Sequence, residues 1–221
     1  MKVHQPQGKL GVLIPGMGAV ASTFISGVLA IKKGLAKPIG SMTQMGTMRL
    51  GKRTENRVPL IKDFVPLAKL EDLVFTGWDI NQENLFDISI RNGVLEKSLL
   101  NHLKTDLEKI NVLKAVFDKN FVRRLSGGWI KTGKNKMDLA KQVEVDIQNF
   151  NKINNIQSNI MIWCGSTEIF LEPSEVHSSL SKFEEGLLNN DPKISPSMIS
   201  KFRNSSNYYG KDQNIIDSQM S

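Results

Sequence analysis

The chain has 221 residues, 40% of them hydrophobic, which is enough for the core of one large domain. A single cysteine, Cys164, excludes a disulfide framework, and with no targeting segment the expected address is a reducing cytoplasm. The formal charge of +7 suits anionic ligands, but the basic residues are scattered, with no aromatic and Arg pattern of an RNA-binding sheet and no zinc-ligand spacing, so no nucleic-acid partner is expected.

From Leu10 to Ile31 no residue is charged, a length near the roughly 20 apolar residues of a membrane-spanning helix. Pro15 would break such a helix, and Gly16, Gly18, Ser22, Thr23, Ser26 and Gly27 dilute it, so no membrane partner is expected. The run divides instead into a buried strand, Leu10 to Ile14, a tight turn, Pro15 to Gly18, and a helix from about Ala19 to Lys33. The spacing Gly16-x-Gly18-x-x-Ala21 fits a dinucleotide-binding turn. The first glycine permits the turn, the second lets a pyrophosphate reach the backbone, and Ala21 lets helix and strand pack closely. The amides opening the helix, and its dipole, then face the phosphates. A glycine-rich turn in any α/β protein is the competing reading.

Next comes "KPIGSMTQMGTMRLGKRTENRVPLIKDFVPLAKL", polar, basic and proline-containing, an extended excursion rather than a regular element. The stretch "DLVFTGWDI" reads as a second strand with Asp79 at its C-terminal end. A ribose-binding acid usually stands about 20 residues past the glycines, where this chain has none; with the excursion treated as an insertion, Asp79 takes that place. Asn81 to Asn92 forms a short helix and Glu96 to Lys109 a longer one, with Leu99, Leu103 and Ile110 on one face. Met137, Ala140, Val143, Ile147 and Phe150 mark a further helix closing near Asn154 and Asn155. "NIMIWCGSTEIF" is the third strand, leaving the sheet near Cys164 and turning through Gly165, Ser166 and Thr167. Pro173 to Leu188 makes one more helix, with Leu180, Phe183 and Leu187 inward. Past Met198 the periodicity stops, which divides the chain into a domain at 1–198 and an irregular polar tail at 199–221.

Strands alternating with amphipathic helices predict a Rossmann-like α/β fold, a parallel sheet with helices on both faces. Ligands of such sheets gather at the carboxyl ends of the strands, which puts the Gly16 turn, Asp79 and the Gly165 to Thr167 turn on one edge. Two near P-loops, Gly46 to Lys52 before Arg53 and Gly128 to Lys134 before Asn135, lack the final Ser or Thr that holds magnesium. His4, His102 and His177 stand in unrelated settings and no Gly-x-Ser-x-Gly elbow occurs, which argues against a hydrolase. No histidine neighbours Cys164 in sequence, which favours a pocket-lining residue over a nucleophile. The run "RLGKRTENR" reads as a solvated loop or as an anion-binding or subunit-contact surface.

Several stretches taken together, "GVLIPGMGAVASTF", "GSMTQMGTMRLGKRTENR", "PLAKLEDLVFTGWDI", "NGVLEKSLL", "KAVFDKNFVRRL", "KTGKNKMDLA" and "WCGSTEIFLEPSEVHSSL", resemble the myo-inositol-1-phosphate synthase family, also called inositol-3-phosphate synthase, in a bacterial form. The likeness runs from about Gly8 to Met198. It implies an isomerase of inositol and phospholipid biosynthesis with NAD as cofactor, which converts glucose 6-phosphate to 1D-myo-inositol 3-phosphate and works as a homotetramer when full length. Carried over residue by residue, the resemblance assigns Gly16, Met17, Gly18, Ala19, Val20 and Ala21 to the pyrophosphate, Asp79 to the adenosine ribose, and Cys164, Gly165, Ser166 and Thr167 to the nicotinamide side. Eukaryotic members carry a longer Gly and Asn run where Met17, Ala19 and Val20 stand here, and "SGGWIKTG" lacks the Gln and Arg those members present to NAD, so that stretch receives no contact. The catalytic lysines, the substrate-phosphate site and the tetramer-forming sheet of the family lie beyond the last residue of this sequence. The resemblance therefore implies an NAD-binding part, incomplete at the C-terminus, without activity of its own; a non-catalytic NAD-binding or regulatory module is the alternative.

Overall fold

A computed structural model describes residues 7–208. Among these, four strands, β1 (Lys9–Pro15), β2 (Leu73–Asp79), β3 (Val112–Lys114) and β4 (Ile156–Met161), form one parallel sheet in the order β3-β2-β1-β4. The helices are α1 (Ala19–Lys32), the short α2 (Met42–Met45) and α3 (Ile61–Phe64), α4 (Leu85–Asn92), α5 (Lys97–Glu108), α6 (Lys136–Asn154), α7 (Leu180–Leu188) and α8 (Pro196–Tyr208). This is the Rossmann-like α/β architecture that the alternation of strands and helices predicts. No helix of the described residues is long and apolar enough to cross a membrane.

Period-two alternation along β1 builds two cores. Val12 and Ile14 face a cluster with Ile25 and Val28 of α1, Leu85 and Ile88 of α4, and Leu100, Leu103 and Leu107 of α5. Leu13 points the other way, joining Ala140, Val143 and Ile147 of α6, Phe183 and Leu187 of α7, and Ile199 and Phe202 of α8. Each fully buried leucine or isoleucine contributes roughly 1.5–3 kcal/mol, so the helices are clamped to both faces of the sheet.

The excursion between α1 and β2 is mostly exposed and carries α2, α3, two single 3-10 turns (Arg53–Glu55 and Leu70–Asp72) and two antiparallel bridges, Thr47↔Leu60 and Leu50↔Arg57. Three sequence expectations need correction. β3 was not foreseen, because three residues are too few to show alternation. The helix expected from Pro173 begins only at Leu180, where the Ser179 hydroxyl caps it by accepting from the Lys182 amide at 3.2 Å. The irregular tail expected from residue 199 is helical as far as Tyr208, since Ile199 and Phe202 recur at a helical interval and bury against α6 and α7; a polar composition conceals so short a stripe. The remainder of that expected tail, residues 209–221, lies outside the described residues.

Candidate functional site: the carboxyl edge of the sheet

β1 ends in a turn that only glycine can make. Gly16 has φ +92°, and a Cβ there would run into the backbone of Cys164 and Gly165. Hydrogen bonds lock the turn on both sides: the Gly16 amide donates to Trp78 O at 2.8 Å and the Cys164 amide to Pro15 O at 2.9 Å. Gly18 then forms the N-cap of α1 with an ordinary φ of −81° and no side-chain cap, and a Cβ at Gly18 would meet nothing within 4 Å. The opening amides of α1 have no partner inside the helix, and its first turn carries no acidic residue, so no side chain of the helix itself offsets the positive end of its dipole. An exposed, uncapped helix start of this kind suits an anion.

Asp79 closes one side of the turn. Its Oδ2 accepts from the Met17 amide at 3.0 Å and its Oδ1 from the Asn81 amide at 3.1 Å, so residues 62 apart in sequence are neighbours here. The strand end carrying Asp79 is itself fixed from beneath. The Trp78 indole donates to Asp146 Oδ2 at 2.7 Å, and the same carboxylate oxygen pairs with Lys131 Nζ at 2.6 Å, both side chains being largely buried.

A cavity of about 290 Å³ runs along this edge, lined by Gly16, Gly18 and Asp79 on one side and by Cys164, Gly165 and Ser166 on the other. These six residues of the sequence reading are thus brought together. Met17 and Ala21 are fully buried: the Met17 side chain packs over Gly77, and Ala21 lies on the buried face of α1 in the cluster with Val12 and Ile14. Ala19 and Val20 are exposed on the first turn of α1, and Thr167, exposed like Ser166, stands next to the lining residues of the same turn.

Other lining residues were not foreseen. Asn81 bonds to Asp79, and Arg91 and Asn92 reach the cavity from the end of α4; Ala115, Val116 and Phe117 follow β3; Ser126 comes from the stretch given no contact; Trp163, Glu168, Pro196 and Ser200 also line the wall. The last two belong to α8, and Glu168 secures that helix by accepting from the Ser197 amide at 2.9 Å and its hydroxyl at 2.7 Å. Only "WDIN" and "WCGSTE" carried a signal in sequence, as polar residues directly following strands. Burial pushes the Cys164 thiol above its ordinary pKa, which keeps it protonated and a poor nucleophile. Both near P-loop segments fall away from any strand end, so neither makes a phosphate cradle.

A family model described as Myo-inositol-1-phosphate synthase, an NAD-binding one, matches residues 10–205. The chain belongs to this family. Inositol-3-phosphate synthase 1 of Bacteroides thetaiotaomicron is 44% identical over 199 residues, which cover 89% of this chain and 46% of that protein. Inositol-3-phosphate synthase of Saccharomyces cerevisiae is 28% identical, over 86% of this chain and 40% of its own length. The crystal structure of inositol-3-phosphate synthase from Caenorhabditis elegans superposes with a TM-score of 0.80 at 25% identity, over 90% of this chain and 42% of that one. The chain thus spans less than half the length of these relatives. NAD is the cofactor of the matched family domain, and the residues present fit it. An uncapped helix start, a glycine with open space before it and a carboxylate hydrogen-bonded to the same turn are the features a dinucleotide needs.

Proposed function

We propose that this chain supplies the NAD site of an inositol-3-phosphate synthase, the isomerase that converts glucose 6-phosphate to 1D-myo-inositol 3-phosphate in inositol and phospholipid biosynthesis. The observation that carries the reading is the hydrogen bond from the Met17 amide to Asp79 Oδ2, which joins the glycine turn to the end of β2. In this reading the backbone from Gly16 to Ala21 holds the pyrophosphate through the opening amides of α1, and Asp79 takes the adenosine ribose. Cys164, Gly165 and Ser166 face the nicotinamide end, with Trp163, Val116 and Phe117 excluding water. Held by these residues, NAD would supply reversible hydride transfer to and from the sugar, with no net redox change.

The ionisable groups on the cavity wall are Asp79, Arg91, Cys164 and Glu168. Asp79, Arg91 and Glu168 are each held by protein partners, and the thiol of Cys164 is kept neutral by burial. None of the four is placed as a free general base. This supports drawing the catalytic groups from the part of the relatives outside the matched region, and it equally favours the second reading, a non-catalytic NAD-binding module. A cytoplasmic address, glucose 6-phosphate as the substrate of the whole enzyme, the absence of nucleic-acid and membrane partners, and homotetramer assembly of the full-length protein rather than of this chain alone belong to the same proposal. It is tested by calorimetric titration of NAD into the purified chain and into Gly18→Val, followed by an assay for inositol phosphate from glucose 6-phosphate. Saturable NAD binding that Gly18→Val abolishes, in a protein with unchanged circular dichroism, supports the site; turnover by the chain alone would refute the assignment of the catalytic groups elsewhere.

A further inference from the structure

The cavity that holds Asp79 carries two groups of opposite consequence. A carboxylate at the end of the second strand favours the ribose of NAD, whereas an arginine nearby accommodates the 2′-phosphate of NADP. Here both line the same cavity, Asp79 from the end of β2 and Arg91 from the last turn of α4. Arg91 is not free, however. Its Nη2 donates to Glu83 Oε2 at 2.6 Å and its Nε to Glu83 Oε1 at 3.3 Å, a fork-to-fork pair that spends the two donors best suited to a phosphate. Glu83 does not line the cavity; it stands just before Asn84, the N-cap of α4, and reaches along the helix to Arg91.

We propose that Glu83 sets dinucleotide selectivity by sequestering Arg91, so that the ribose end of the cavity presents a net negative charge, Asp79 and Glu83 against Arg91, and rejects a 2′-phosphate. The inference rests on the assignment of the ribose to Asp79. Glu83 is a positioning residue that acts through Arg91. Removing its charge leaves Asp79 opposed by a guanidinium with its donors released, which is the arrangement that admits NADP.

The test is calorimetric titration of NAD and NADP into the whole chain as wild type, E83Q, R91M and E83Q/R91M. Wild type prefers NAD. E83Q raises the ratio of NADP to NAD affinity about tenfold, ~1.4 kcal/mol. The gain shrinks at high salt, as expected of a partly exposed charge interaction, and vanishes in E83Q/R91M. R91M alone does not raise the ratio, whereas a merely structural ion pair would make E83Q and R91M behave alike. An unchanged ratio in E83Q, with NAD still bound, or a gain that survives in the double variant, overturns the proposal and leaves the ribose assignment standing. Folded wild type that binds neither dinucleotide overturns that assignment, and this inference with it.

Discussion

Replacing Gly16 by Ala separates what the turn costs from what it binds. At φ +92° an L-residue carries a backbone strain of about 1–2 kcal/mol. The added methyl also collides with main-chain atoms of Cys164 and Gly165, which cannot rotate away as a side-chain end could. Relieving the collision means parting the two segments and losing the Cys164 amide to Pro15 carbonyl bond, roughly 0.5–1.5 kcal/mol more. The sum is about 1.5–3.5 kcal/mol, and with a melting shift of roughly 2–4 °C per kcal/mol for a chain of this size, Gly16→Ala lowers Tm by about 3–14 °C. Gly18→Ala is the control. Its φ is compatible with alanine and its Cβ meets only open space, so Tm stays within about 2 °C while the methyl intrudes where a diphosphate would lie. Thermal unfolding followed by circular dichroism reads both. Equal melting temperatures for Gly16→Ala and wild type would refute the argument that the turn is wedged against β4's exit.

Four further outcomes follow from the same geometry. Asp146→Ala strands the Lys131 ammonium and the Trp78 indole N–H in a largely buried setting and costs about 3–5 kcal/mol in urea unfolding; a loss below 1 kcal/mol would show the pair to be idle. Ile199→Ala empties a site in the core beneath α8 and costs about 2–4 kcal/mol, whereas a loose tail would show no change. Asn135→Ala removes the cap that accepts from the Asp138 amide at 2.9 Å and costs about 1 kcal/mol in the same measurement. Cys164 has a folded pKa raised above 9.0 by burial, so the folded state holds its proton more firmly. The stability this gives is present below pH 9.0 and is lost as pH rises through the folded value, a slope that Cys164→Ser removes; alkylation below pH 9 is correspondingly slow and slower still with NAD.

The glycine turn and α1 were legible because their signals are local: a buried strand, two spaced glycines and a helix of small apolar residues lie within 25 positions of each other. Asp79 was legible only through the expectation that a strand end carries the acid, since 62 residues separate it from Met17, its partner. What stayed hidden was nonlocal or too short. β3 has three residues, and Arg91 and Ser126 reach the cavity from elements whose sequence shows no functional pattern. α8 was hidden by its composition: serine, asparagine and lysine dominate it, and the two residues that dock it, Ile199 and Phe202, signal burial only once α6 and α7 are in place.

Where the diphosphate sits is read directly from a crystal structure of the chain grown with NAD. The expected result is diphosphate density within hydrogen-bonding distance of the amides that open α1 beside Gly18, with a ribose hydroxyl on the Asp79 carboxylate. Well-defined NAD bound elsewhere, with the turn at Gly16 to Gly18 open to solvent, would contradict it.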